Sequence, residues 1–202
     1  MIFLFKIFFF QFKNITYKLT YPLKYCSHCS SPDIVFRIPK DDTFKRWVCS
    51  KCGKVFYDNP RVIVGCLVTS GEKILLCKRA IKPQYGLWNL PAGFLENGES
   101  AEDGAMRETF EESKARVEIV KLHVLYSLPS VNQVYLHFLA RHKESIIEPT
   151  KESLEVRFFD REEIPWDQIA FHSTTFALEK YFESGDGFEG IHIGNFQKKG
   201  AW

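Results

Sequence analysis

The sequence lacks the features that would assign it to a membrane, repeat or strongly nucleic-acid-binding class. Its 202 residues carry a formal net charge of only +2, and so small an excess gives the chain as a whole no basic footprint for nucleic acid. No apolar run reaches the length of about 20 residues that a membrane-spanning helix needs, and no internal repeat is visible. Hydrophobic residues make up 45% and charged residues 26% of the chain, as in globular proteins. We therefore expect no membrane span and no nucleic-acid partner.

Acidic residues are absent from the first 24 residues, which contain four lysines, so the rest of the chain has a net charge of −2. Residues 1–12 are apolar except Lys6 and Gln11. As a signal peptide this run is poor, because the lysine interrupts it and no small-residue cleavage site follows. We interpret residues 1–24 as an extension: an organellar leader, an interfacial anchor or, as we prefer, sequence upstream of a misassigned start. A cytoplasmic protein is expected, or an organellar one if the extension is a leader.

Four of the six cysteines form two C-x-x-C pairs, Cys26 with Cys29 and Cys49 with Cys52. The 19 residues between the pairs match the spacing of a zinc site. A disulfide framework would need an oxidising compartment, and the sequence carries no convincing export signal. His28 is expected to be a spacer, because four thiolates already complete a tetrahedron. Cys66 and Cys77 lie in apolar strand patterns and are expected to be small buried thiols.

The chain is predicted to contain a small zinc unit and one larger domain. Residues 25–57 would form a zinc ribbon, with strands at 34–38 and 46–48 between the cysteine pairs. A unit of this size cannot hold a core of its own, so the metal would supply its folding free energy. The larger domain is expected over residues 58–184. Residues 185–202 begin with three glycines within six residues and are expected to be a mobile tail.

The larger domain is predicted to combine strands on both sides of one central helix with a second helix near its end. Apolar and β-branched runs predict strands at 61–69, 73–78, 117–128, 133–141 and 154–159. Ser100 is a suitable N-cap for the central helix, which would run to about Lys114, and the last helix would cover about 173–182. This order indicates an α+β fold in which a mixed sheet lies between helices, an α/β/α sandwich.

The central helix carries three carboxylates within five positions, Glu108, Glu111 and Glu112. At about 100° per residue, Glu112 lies roughly 40° from Glu108, and Glu111 about 60° to its other side. Such a ridge is either a solvated acidic face or the site of a hard cation, and oxygen ligands suit Mg²⁺ or Mn²⁺. Arg107 can clamp Glu111, four residues on. Met106 and Phe110 point away and would fix the helix to the sheet.

A glycine loop directly precedes this helix. Gly93 would let a backbone carbonyl approach the metal because glycine has no Cβ, and Glu99 could lock the loop onto the helix. The fixed spacing of six positions argues against a chance acidic face; they are Gly93, Glu99, Arg107, Glu108, Glu111 and Glu112. A metal held by a few carboxylates is typical of phosphate chemistry.

These six positions resemble the Nudix box, G-x5-E-x7-R-E-U-x-E-E-x-G-U, where U is a bulky aliphatic residue. Every charged position is kept, and the departures are Thr109, Lys114 and Ala115. They concern packing and the exit of the helix, where the glycine of the box would take a left-handed conformation. Segments outside the box, such as 90–94 and 163–166, are similar to Nudix hydrolases with an N-terminal zinc ribbon from bacteria and plant plastids.

The resemblance implies a hydrolase for the phosphoanhydride of a nucleoside diphosphate linked to another group. The resemblance favours a small-molecule dinucleotide substrate, either FAD, which would be cleaved to FMN and AMP, or ADP-ribose. It also implies that the protein forms a homodimer. Mg²⁺ or Mn²⁺ would be ligated by Glu108 and Glu112, with Glu111 and a carbonyl near Gly93 assisting, and a structural Zn²⁺ would occupy the ribbon cysteines.

The resemblance also implies further site residues. Some family members take their general base from outside the box; Glu155 is the candidate here and Glu152 the alternative. Glu99 and Arg107 complete the catalytic set. An adenine or flavin ring needs an aromatic or apolar slot, and four aromatic residues could contribute to it: Tyr85, Trp88, Phe94 and Tyr135.

Other functions stay open. NADH pyrophosphatases also combine four zinc-binding cysteines with a Nudix box, but they show SQPWPFPxS after it, and residues 122–134, LHVLYSLPSVNQV, lack that motif. The box alone does not reject oxidised nucleoside triphosphates or capped RNA as substrates. In another class, the ribbon could be a nucleic-acid- or protein-binding module on a silent Nudix scaffold. Its Lys40, Lys45, Arg46 and Lys51 are partly offset by Asp33, Asp41 and Asp42. No box glutamate is lost, so we interpret the ribbon as structural or as part of a dimer interface.

Overall fold

A computed structural model describes residues 23–143, 146–185 and 187–196. Residues 1–22 of the predicted extension and residues 197–202 of the predicted tail lie outside these described residues. The chain divides between Asp58 and Asn59 into two compact units. In the described part of the chain, no helix is long and apolar enough to cross a membrane.

The first unit is a three-stranded antiparallel sheet. Strand β1 spans Ile34–Arg37, β2 spans Arg46–Cys49 and β3 spans Val55–Phe56, in the order β1-β2-β3. The chain reverses at each cysteine pair through a left-handed residue, Ser30 with φ 55° and Gly53 with φ 75°. The buried apolar side chains of the unit are Cys26, Pro39, Val48 and Cys49. So small a core agrees with the expectation that a bound metal must stabilise the unit.

The second unit contains eight strands and two α-helices among its described residues: β4 Arg61–Ser70, β5 Lys73–Arg79, β6 Trp88–Asn89, β7 Ala92–Phe94, α1 Ala101–Ser113, β8 Val117–Leu128, β9 Gln133–His142, β10 Ser153–Phe159, α2 His172–Ser184 and β11 His192–Asn195. The main sheet has the order β10-β5-β4-β9-β8-β11, with β6 beside β5 and β7 beside β4. β4 pairs with β9, and β8 with β11, in parallel, whereas the other pairs are antiparallel. The predicted mixed sheet is confirmed.

One helix covers each face of this sheet. Alternate residues of a strand point to opposite faces, so β4 sends Val64 and Cys66 into the core cluster under α1 and Leu67 into the cluster under α2. Ala105 of α1 and Leu178 of α2 belong to these two clusters. The predicted α/β/α layering is confirmed, and we call the two sides of the sheet the α1 face and the α2 face.

The buried side of α1 differs from the prediction. Met106 packs against the core of the α1 face, but Phe110 is 39% exposed, and the cations of Lys114 and Arg116 lie over its ring. The buried positions are instead Gly104, Ala105, Thr109, Glu112 and Ser113. Four of these five side chains are small, which lets the helix lie close to the sheet and leaves no room there for a phenyl ring.

The departures from the Nudix box are accommodated by local bonds. The hydroxyl of Thr109, which is fully buried, donates to the Ala105 carbonyl at 2.7 Å, so no polar group is left unpaired. Lys114 takes the left-handed conformation, with φ 61°, and its N–H donates to the Phe110 carbonyl. A lysine thus adopts the backbone geometry for which glycine is the preferred residue.

The segment after α2 also differs from the prediction, since β11 is a strand where a mobile tail was expected. It pairs in parallel with β8 from Val124 to Ser127. A Cβ at Gly194 would lie 2.7 Å from the Phe176 ring and 2.8 Å from the Tyr126 ring. Glycine at this position therefore allows the strand to lie against two aromatic rings. The glycine content of the segment, from which a mobile tail was expected, does not reveal this role.

Candidate active site and zinc centre

The four ribbon cysteines converge on one point. Their sulfur atoms all lie within 4.8 Å of one another, with Cys26 Sγ 3.7 Å from Cys52 Sγ and Cys29 Sγ 3.6 Å from Cys49 Sγ. A tetrahedral zinc with Zn–S bonds of about 2.3 Å has S···S edges of about 3.8 Å. The group fits zinc by this test, and the spacer His28 is not part of it.

The backbone prepares one of these thiols for metal binding. The N–H groups of Cys52 and Lys51 lower the pKa of the Cys49 thiol to about 7, because they stabilise the thiolate by hydrogen bonds. The thiolate is the form that binds zinc. The four sulfur atoms therefore have the geometry that the zinc predicted from the spacing needs.

Arg107 is the centre of the second site. Its Nε and Nη2 donate to the two carboxylate oxygens of Glu99 at 3.0 and 2.7 Å. Its Nη1 donates to Glu108 at 2.7 Å and to Glu111 at 3.1 Å, and Nη2 also donates to the Phe94 carbonyl at 3.0 Å. Hydrogen bonds from Arg107 lower the pKa of Glu99 to about 2. One guanidinium thus joins the glycine loop to α1.

The glycine loop lies directly against Glu108. Gly93 pairs with Val64 of β4, and a Cβ on Gly93 would lie 2.2 Å from Glu108 Oε2. Only glycine leaves room for this carboxylate. Glu99 Oε1 accepts the N–H of Glu96 at 2.8 Å, as expected for a residue that fixes the loop on the helix.

Glu112 is 6% exposed, in contrast to the half-exposed Glu111 beside it in the sequence. Burial raises its pKa to about 8, Arg79 opposes this shift, and the charges of Glu108 and Glu152 add to it. Burial also raises the pKa of Glu108, and the charges of Glu111 and Glu152 contribute. Mutual repulsion in a partly dry site is what a divalent cation would relieve.

The carboxylates fit a hydrated cation better than a closed protein cage. Within the described ranges, the cysteines form the one set of three or more candidate ligands whose atoms all lie within 4.8 Å, so the glutamates are more widely spread. Mg²⁺ usually keeps several waters and takes one or two carboxylates together with substrate phosphates. The donor set of Glu108, Glu111 and Glu112 is compatible with that mode.

The two candidates for a general base lie in different places. Glu152 lines an open cleft together with Glu111, Lys114, Thr150 and Lys151. Its charge contributes to the raised pKa values of Glu108 and Glu112. Glu155 is a cross-strand neighbour of Lys78 at 3.9 Å. It alternates with Val156, which lies in the α1-face cluster, so Glu155 is on the α2 face. The geometry favours Glu152, the alternative, over Glu155.

Arg79 is a site residue that the sequence reasoning missed. It ends β5, its Nε donates to the Pro83 carbonyl at 3.0 Å, and its guanidinium lies 5.0 Å from the Phe171 ring centre. Burial lowers its pKa, while Glu112, Tyr135 and Glu152 oppose that shift. None of the described carboxylates lies within 4.0 Å of it. The sequence feature that could have identified Arg79 is a cation at the end of a buried strand, the point where the chain leaves the core.

The four aromatic candidates for a base-binding slot separate into two groups. Trp88 is 6% exposed and packs edge-on against Phe159, so it belongs to the core. Phe94 and Tyr135 both pair with Ile63, from opposite sides. Strand spacing of about 4.8 Å puts their backbones roughly 10 Å apart, with Ile63 between them. Tyr85 is exposed on the preceding loop.

Comparison with known proteins agrees with this geometry. The family model described as NUDIX domain matches residues 59–178, and the model described as Nudix N-terminal, a zinc ribbon, matches residues 24–58. A crystal structure of a NUDIX hydrolase from Nitrosomonas europaea is similar with a TM-score of 0.82 and 47% identity, over 87% of this chain and 100% of that one.

Curated relatives carry a more specific name. The NAD-capped RNA hydrolase NudC of Chromobacterium violaceum is 28% identical over 145 residues, which are 70% of this chain and 52% of the relative. The NAD-capped RNA hydrolase of Schizosaccharomyces pombe is 35% identical over 128 residues, or 58% and 34% of the two chains. The chain spans about half the length of the curated relatives it matches, or less.

Proposed function

Because this chain belongs to the Nudix family, in the branch with an N-terminal zinc ribbon, we propose that it hydrolyses the phosphoanhydride of dinucleotide pyrophosphates. The observation that carries the proposal is the arrangement of Glu108 and Glu112. One carboxylate is pressed against Gly93 and held by Arg107, and the other is buried beside it. Burying two acids together is costly without a cation, and the cleft next to them is open.

Mg²⁺ or Mn²⁺ would be held by Glu108 and Glu112, with Glu111 and a carbonyl near Gly93, and when bound it would neutralise the diphosphate and lower the pKa of a water. Arg107 keeps Glu108 and the loop in register. Arg79, whose two terminal nitrogens are uncommitted among the described contacts, would orient the diphosphate. Glu152 would accept the proton of the attacking water, whose oxygen bonds to phosphorus as the anhydride P–O bond breaks.

For the substrate, we place NADH ahead of FAD. The curated relatives bear names that refer to NAD, and none of those names refers to FAD, which the family resemblance had favoured. One observation keeps FAD and ADP-ribose as the second candidate: residues 122–134 lack SQPWPFPxS. All three compounds share an ADP half, and the row formed by Phe94, Ile63 and Tyr135 could receive its adenine on the α2 face.

The test is AMP release from NADH, FAD and ADP-ribose with Mg²⁺ or Mn²⁺, compared by kcat/KM. We expect NADH to exceed FAD by at least about tenfold, a difference of about 1.4 kcal/mol in transition-state binding. Glu112→Gln is the control for contaminating activity, and it should lose most of kcat on every substrate. A higher kcat/KM for FAD or ADP-ribose would reverse the ranking, and full activity of Glu112→Gln would refute the metal site.

Assembly and compartment remain predictions: a homodimer, in the cytoplasm unless residues 1–24 act as a leader. Light scattering of the purified protein tests the first.

A further inference from the structure

The zinc ribbon carries a patch where arginines meet exposed aromatic rings. Arg37 and Arg46 are cross-strand neighbours in β1 and β2, so their side chains leave the same face of the small sheet. The Arg46 guanidinium lies 5.6 Å from the ring centre of Phe44 and 5.3 Å from that of Tyr57. We call these four residues the arginine–aromatic patch.

The two rings are held in place but not covered. Phe44 and Tyr57 are 67% and 66% exposed, and the core of the ribbon does not include them. Arg46 is itself fixed, because its Nε donates to Asp42 at 3.2 Å, and Asp42 also accepts the N–H groups of Thr43 and Phe44. The rings are therefore positioned before any ligand arrives, which lowers the entropic cost of binding to them.

The ribbon is basic although the whole chain is nearly neutral. Residues 24–58 contain seven Lys and Arg against four Asp, a net charge of +3, whereas residues 59–202 have a net charge of −4. Among the described contacts, Arg46 is the one cation of the ribbon with a carboxylate within 4.0 Å. Six others are exposed without such a partner: Lys24, Arg37, Lys40, Lys45, Lys51 and Lys54. Asp42, which pairs with Arg46, also accepts the backbone N–H groups of the turn.

We propose that the arginine–aromatic patch binds single-stranded nucleic acid. Bases would stack on Phe44 and Tyr57, and phosphates would lie beside Arg37 and the surrounding lysines, the combination that sequence-tolerant single-strand sites use. Arginines and aromatic rings also occur at protein interfaces, but the five exposed lysines around this patch favour a polyanion, because lysine is depleted at the centres of protein interfaces. This inference reverses the expectation of no nucleic-acid partner and does not depend on the proposed substrate.

The test uses the full zinc-loaded chain and a fluorescein-labelled 12-nucleotide oligouridylate, with fluorescence anisotropy as the readout. We expect saturable binding at 50 mM NaCl and a Kd that rises roughly tenfold by 200 mM, as for two or three phosphate contacts. A blunt 12-base-pair duplex should bind more weakly, because its bases are not available for stacking.

Variants separate stacking from charge. Phe44→Ala with Tyr57→Ala should weaken binding at least tenfold and leave the salt dependence unchanged. Arg37→Gln should reduce the slope of log K against log salt by about 0.7. Phe36→Ala is the matched control: this ring is 54% exposed, lies on the opposite face of the same sheet beside Trp47, and should leave binding unchanged. All variants should keep their zinc and their rate of NADH hydrolysis.

Two outcomes would overturn the proposal: no binding at 50 mM NaCl, and equal weakening by Phe36→Ala. If the parent binds no oligonucleotide and the Phe44 and Tyr57 substitutions convert a dimer to a monomer, the patch is an interface between copies. Because binding is measured without turnover, a failure of the proposed hydrolase activity would be seen separately.

Discussion

Residues of one chemical type have different environments in the candidate site. Glu99 gives both carboxylate oxygens to Arg107, Glu111 stays half-exposed, and Glu112 is buried. Successive helical residues differ by about 100° in direction, so Glu111 can face solvent while its neighbour Glu112 faces the core. A sequence pattern identifies the set, and the position of each member relative to the sheet decides what it can do.

At this scale, the choice of general base can be tested. Glu152→Gln should lower kcat by about 10²-fold or more, the range for a lost general base. Glu155→Gln, the matched control on the α2 face, should stay within about twofold of the parent. A larger loss in Glu155→Gln than in Glu152→Gln would restore the original assignment.

Glu99 makes a pH-dependent contribution to folding. Its pKa is lowered from 4.5 to about 2, so the stability it contributes is present above pH 4.5 and is lost as the pH falls toward 2. Urea unfolding between pH 6 and 3 should show the parent losing stability with acid, and Glu99→Gln should lose less over the same range. Identical pH dependence in both proteins would contradict the Arg107–Glu99 assignment.

Elements were predicted more reliably than the faces they present. Strand β8 has the predicted bounds, and α1 begins after the predicted N-cap, because strand propensity and capping are local. Phe110 was assigned to the wrong side of α1, since the helix meets the sheet through small residues. The prediction for the general base named no face of the sheet, and the irregular register between Ser153 and Glu155 decides that Glu155 lies on the face opposite α1.

The end of α1 offers a test at the scale of one element. Lys114 has φ 61°, a conformation that costs a non-glycine residue about 1 kcal/mol, so Lys114→Gly should stabilise the protein by up to about that amount. Lys114→Ala keeps the strain and should not stabilise. Thermal and urea unfolding of the parent, Lys114→Gly and Lys114→Ala would measure the difference in stability. Equal effects of glycine and alanine would show that relief of the left-handed backbone conformation does not cause the change.

On the scale of the whole molecule, the chain separates its chemistry into two units of opposite charge. The ribbon has few buried apolar side chains and four convergent thiols, whereas the larger unit has two hydrophobic clusters, one on each face of its sheet. Their stabilities should therefore have different sources, metal binding in one and apolar burial in the other.

Removal of zinc should unfold one unit and spare the other. After treatment with a zinc chelator, limited proteolysis should cut within residues 23–58, while the domain from Asn59 onward stays protected. Cys49→Ser should reproduce this without chelator, and Ser27→Ala, an exposed position between the first two cysteines, should not. Protection of the ribbon in a sample shown by metal analysis to lack zinc would contradict a structural role for the metal.

The sequence by itself determined the family and the α/β/α layering, and it identified the candidate zinc ligands and the candidate carboxylate set, because each depends on spacing or periodicity along the chain. Tertiary structure alone decided which glutamate is buried, that the charges of Arg79 and Glu152 act on it, that β11 completes the sheet, and where the ribbon places its aromatic rings. These properties depend on which surfaces meet across the fold. Helix rotation, one irregular register and one close glycine contact set them, and none leaves a periodic signal in the sequence.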